Sequence, residues 1–64
     1  MNNLKQDLQK IVDAGLDANS TIIAQTALSS LSYLKELAIE NEISIEEISV
    51  EHIIDAINKH KTNN

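Results

Sequence analysis

His52 and His60 are the only imidazoles in the chain, so any metal or acid–base chemistry would start with them. Eight residues apart on one helix, they would lie about 12 Å apart along the axis and within roughly 80° of each other. One metal ion cannot take both from a single chain. Two chains could combine them with Glu51 or Asp55, but no ligand spacing signals such a site, and both read as exposed histidines on a helix face. Ser29, Ser30, Ser32, Ser44 and Ser49 include no nucleophile-elbow motif. The single glycine cannot build a phosphate-cradling loop. Glu46 and Glu47 are adjacent and so point to different faces of a helix. A chain of 7.1 kDa has little room for a water-excluding cleft. These features predict no catalysis, no metal, no cofactor and no small-molecule substrate.

Charge is the uneven feature. The net charge is −5, and Glu36, Glu40, Glu42, Glu46, Glu47, Glu51 and Asp55 crowd one stretch with no Lys or Arg between Lys35 and Lys59. A solvated face that keeps a small oligomer soluble would need such residues. An acidic patch that docks a basic protein would need them too, and could occupy that protein's nucleic-acid-binding surface as a mimic. Direct nucleic-acid binding is disfavoured, because an acidic chain is repelled by phosphates.

The elements that would carry these residues are helical. With no Pro and one Gly, few sharp breaks are expected. Leu4, Leu8, Ile11 and Val12 recur at helical spacing, capped by Asn2 or Asn3 and stopped by Gly15, with Leu16 folding back over Ile11. This predicts helix 1 over about residues 3–14. Asp17, Asn19 and Ser20 are all competent caps for the next helix. Its apolar run predicts one central helix over about 19–41, on which Ile23, Ala24, Ala27, Leu28, Leu31, Leu34, Leu37, Ala38 and Ile39 cover roughly 200° of the circumference. A one-sided helix needs only about 100°. The excess predicts a second copy packed on this helix, with Ala24, Ala27, Leu28, Leu31, Leu34 and Ala38 as the dimer interface.

Ser44 and Glu47 have capping-box spacing, with Ile43 and Ile48 as the hydrophobic staple. The pattern nearly repeats as ISIEE and ISVEH, and helical phase breaks at Ser49. A single turn is predicted at about 45–48 and a last helix at about 50–60, with Lys59 and Lys61 at its negative pole. Met1–Asn3 reads as a frayed lead-in and residues 62–64 as a disordered tail. The fold expectation is a single all-α domain of three helices, short–long–short, assembled as an intertwined or bundled homodimer. A lone core of this size is marginal, and without cysteines no disulfide can support it. No apolar run approaches the roughly 18 residues of a membrane span, and MNNLKQDLQK lacks the apolar core of a signal peptide, so a cytoplasmic location is expected.

Two segments resemble archaeal-type histones. Lys10-Ile11-Val12-Asp13-Ala14-Gly15 is similar to the end of their first helix. Ile48-Ser49-Val50-Glu51-His52-Ile53-Ile54-Asp55-Ala56-Ile57 is similar to their second loop and third helix. Together they bracket residues 10–57. The resemblance implies a handshake dimer whose long central helices cross. It transfers no DNA-contacting residue, because acids stand at 36–55 where the family is basic. The leading expectation is an acidic, non-catalytic interaction or regulatory module. Two others stand beside it. One is a histone-like or helix-turn-helix-like DNA-binding dimer using Lys5, Lys10, Lys59 and Lys61, and the other is a self-assembly piece with no further partner.

Overall fold

The computed structural model describes residues 3–62. Among them the chain is all-helical: α1 Leu4–Asp13, α2 Ala18–Ala27, α3 Leu31–Asn41, a 3-10 turn Ile45–Glu47, and α4 Val50–Thr62. Four α-helices therefore replace the three expected. The difference is one event. The predicted central helix breaks at Leu28–Ser30 and becomes two shorter ones.

Local hydrogen bonding explains the break. The Ser30 hydroxyl accepts from Tyr33 N–H at 3.3 Å and caps a new helix. Behind it, Ser29 N–H donates to the Thr26 carbonyl at 3.0 Å and Ser30 N–H to the Ala27 carbonyl at 3.1 Å, which tightens the end of α2. Serine side chains compete for backbone groups in this way and favour caps over helix interiors. The break lets α2 and α3 turn different faces to one core. From α2 that core takes Ala24 and Ala27, from α3 Leu34, Leu37 and Ala38, from α1 Ile11, and from the last third of the chain Ile48, Val50, Ile53 and Ile57. The 200° apolar arc came from adding two narrower faces along an axis that does not continue.

The other ends follow simple chemistry. Asn3 Oδ1 accepts from Gln6 N–H at 3.1 Å and starts α1. Gly15, at φ 73°, stops it in the left-handed region that only glycine enters freely. Leu16 packs against the core that contains Ile11, as expected. Of the three possible caps for α2, Asp17 is used, its Oδ1 accepting from Ser20 N–H at 2.7 Å. The closing helix runs to Thr62, the first residue of the expected tail; Asn63 and Asn64 lie outside the described residues, as do Met1 and Asn2.

The end of α3 is less ordinary. Glu42 is left-handed at φ 57°, ψ 41°. Its N–H donates to the Ile39 carbonyl at 3.1 Å, and Ile43 N–H reaches the Ala38 carbonyl at 3.0 Å. These two bonds form a Schellman closure with glutamate where glycine normally stands. A side chain in this region costs about 1–2 kcal/mol, partly offset in a glycine variant by its more flexible unfolded chain. Glu42→Gly is expected to raise stability by about 0.5–1 kcal/mol, seen as a higher thermal midpoint. A lower midpoint would mean that the Glu42 side chain makes a compensating contact.

Candidate functional site

The acid-rich stretch spans the C-terminal half of α3, the 3-10 turn and the first half of α4. Glu36, Glu40, Glu42, Glu46, Glu47, Glu51 and Asp55 are all exposed. The fold distributes them over three places. Glu40 and Asp55 line one groove of about 390 Å³ between α3 and α4, together with Leu37, Asn41, His52, Ala56 and Lys59. Glu42, Glu46 and Glu47 sit on the connection that follows α3. Glu51, in the first turn of α4, turns to α1, where its Oε1 lies 3.3 Å from Lys10 Nζ. None of the other six acids of this stretch is in an ion pair among the described residues.

Two of these carboxylates have local structural roles. Glu47 Oε1 accepts from both Ser44 N–H and the Ser44 hydroxyl, each at 3.0 Å. These bonds supply the reach-back half of the expected capping box, and they hold the Glu47 carboxyl below its usual range. The Glu51 carboxyl is also lowered, first by its own backbone N–H, then by the Ser49 hydroxyl and Lys10. Both acids stand in the first turn of their helical segment, where the positive end of the backbone dipole favours the charge. The carboxylates of the remaining five acids make no hydrogen bond or ion pair among the described residues. Tyr33 is raised, by partial burial and then by the charge of Glu40.

His52 has a role that the periodicity did not reveal. Its Nδ1 accepts from Ser49 N–H at 3.0 Å, and the Ser49 hydroxyl lies 3.0 Å from the same nitrogen. Serine followed three residues later by an acceptor is the capping-box arrangement, with histidine in the place of glutamate. The repeat ISIEE/ISVEH thus encodes two successive helix starts of the same design, and this spacing was the signal for His52. The geometry assigns the ring proton to Nε2, because Nδ1 is an acceptor. A serine beside an imidazole is also the beginning of a nucleophile–base pair. Here the nitrogen that would act as base already accepts a backbone N–H at the helix start. His60 is exposed and lines a smaller hollow of about 210 Å³ with Glu40, Ala56 and Lys59. No group of three or more His, Cys, Asp or Glu able to hold a metal occurs among the described residues, and no helix among them is long and apolar enough to cross a membrane.

The residues expected at a subunit interface lie elsewhere than expected. Ala24, Ala27, Leu34 and Ala38 are buried inside the single chain, Leu28 packs against the same core, and only Leu31 is exposed. Ala24, Leu34 and Ala38 are not available to a second copy in this arrangement, and Ala27 reaches the surface only in the lining of a groove. Their apolar periodicity was real, but it belongs to the intramolecular core.

Lys10 and Lys59, two of the four lysines proposed for a basic face, stand beside carboxylates: Lys10 on Glu51, and Lys59 in the groove with Glu40 and Asp55. Lys5 is exposed on α1, and the side chain of Lys61 lies outside the described residues. Compared with protein families, with curated proteins and with solved structures, the chain matches none.

Proposed function

We propose that the chain is a non-catalytic protein-interaction module that works as a homodimer and docks a basic protein through its 36–55 surface. One observation carries this reading. Seven exposed carboxylates stand on consecutive elements, and the cations near them are few: Lys10 is paired with Glu51, and Lys59 shares the groove of Glu40 and Asp55. Unneutralised charge on adjacent elements creates a field that steers and selects an oppositely charged partner. A partner whose basic surface ordinarily holds phosphates would meet carboxylates instead, so the module would act as a competitor or inhibitor of nucleic-acid binding.

The test is capture of basic proteins from the source cell on the immobilised full chain, compared with a variant carrying Glu40→Lys and Glu46→Lys. Neither residue caps a helix, so the fold should be unchanged. Expected is a basic protein bound at about 0.05 M salt, released toward about 0.5 M as screening shortens, and lost from the variant. Equal retention by both proteins would sink the acidic-surface reading.

A second reading, a helix-turn-helix-like DNA-binding dimer, is favoured by one finding. Three residues, Leu28–Ser30, join α2 to α3, a length suited to that motif. In that role α3 would be the groove-reading helix, yet it bears Glu36 and Glu40 against the single cation Lys35. Salt-sensitive retardation of duplex DNA by the chain alone would favour this reading over the first.

A further inference from the structure

α2 is built inside out. It buries Ser20, Ala24 and Ala27, and it exposes both its isoleucines, Ile22 at 60% and Ile23 at 58%. Burial of an isoleucine is worth far more than burial of an alanine, so a helix that served only the core would reverse this arrangement. Single exposed apolar residues need no explanation, but these two are not isolated. With Thr26, Ala27, Ser30 and Tyr33 they line one groove of about 290 Å³. Contiguous apolar surface of this kind marks a contact site.

Charge identifies the occupant. Residues 18–34 contain no Asp, Glu, Lys, Arg or His. Each copy carries −5, so two copies repel wherever charged faces meet, and charged side chains would have to be desolvated there. The groove between α2 and α3 has no charged side chain in its lining, so a contact made there limits both costs. A basic partner gains nothing from it, and the 36–55 surface already offers that partner what it needs. A second copy brings the same uncharged isoleucines and the same groove, and a two-fold axis lets each copy's isoleucines enter the other's groove. A 64-residue chain without cysteines also has reason to extend its core in this way.

We propose that Ile22, Ile23, Thr26 and Tyr33 form the homodimer face, with α2 of one copy packed on α2 of its partner. This placement rests on the dimer of the proposed function and replaces the interface expected from the sequence.

Sedimentation equilibrium of the full chain from micromolar to millimolar concentration is the test, with helicity followed by circular dichroism. Expected is a dimer of about 14 kDa, twice the 7.1 kDa chain, retained at high salt. Ile22→Glu with Ile23→Glu should weaken dimerisation roughly a hundredfold or more and leave helicity intact. Ile39→Glu, at a position 75% exposed outside the uncharged stretch, should leave the dimer unchanged. Should the double glutamate variant fail to fold, Ile22→Ser with Ile23→Ser provides the same comparison. Fluorescence of Tyr33, the only aromatic, should follow the wild-type association isotherm.

A wild-type chain that stays at 7.1 kDa through millimolar concentration overturns both the dimer and its face. A folded isoleucine variant that remains dimeric, or loss of the dimer in Ile39→Glu, overturns the face alone. The basic-partner reading has its own test and survives either result.

Discussion

Ile53→Ala is expected to remove most of the stability of the chain. Ile53 is fully enclosed, at 0% exposure, in the first half of α4, the helix that packs on both α1 and α2. Truncating a buried isoleucine costs about 2–5 kcal/mol, from lost transfer energy and from the cavity left behind. A domain of this size has only about 3–10 kcal/mol in total, at roughly 0.05–0.15 kcal/mol per residue. The surroundings have few ways to collapse into the gap, because the core has no Phe or Trp to swing into it. With a urea dependence of about 1 kcal/mol per molar for a small domain, the midpoint should fall by roughly 2 M or more. Ile39→Ala is the control: Ile39 is on the surface of α3, and its truncation should change stability by less than about 0.5 kcal/mol. Similar midpoints for the two variants would show that α4 does not close the core in this way.

The ends of helices were legible in the sequence where a side chain or a glycine signals them directly. Asn3, Gly15, Ser44 with Glu47, and the restart at Ser49 each act through a bond or a backbone conformation specific to that residue type. The expected 3–14 helix and the 45–48 turn accordingly agree with Leu4–Asp13 and Ile45–Glu47. The break at Leu28–Ser30 was not legible, because the apolar spacing Ala27, Leu28, Leu31, Leu34 continues through it without a change of period. Only the serines signal it. A serine run lowers helix propensity without fixing where the chain turns; that is decided by what the turned helices can bury. Glu42 was illegible for another reason. No local rule places glutamate in the left-handed region, and it is held there by the two bonds that close α3. Among the candidate site residues, the exposure of the seven acids follows from their charge. Their division among a groove, a connection and the α1 side depends on how α3 and α4 pack, which composition does not specify.

Ala24→Leu tests the largest of these revisions. On one continuous central helix, Ala24 is a small residue on an outward face that lets a second copy approach, and a larger side chain there would change association and leave the chain's own fold alone. In the four-helix arrangement Ala24 is at 0% exposure, on a helix that contacts both α1 and α4. Three added carbons then have no space, and overpacking costs about 1–3 kcal/mol. For a domain of this size each 1 kcal/mol moves the thermal midpoint by about 4–8 °C, so a fall of roughly 4–24 °C is expected. Ala18→Leu, exposed in the first turn of the same helix, should shift the midpoint little. The contrast lies in which equilibrium moves. A core alanine changes unfolding, and the midpoint loss should be similar at low and high protein concentration. An interface alanine would change association, and its effect would grow with concentration. If Ala24→Leu folds as stably as the wild type, α2 does not pack between α1 and α4, and the assignment of its alanines to the core and its isoleucines to a partner fails with it.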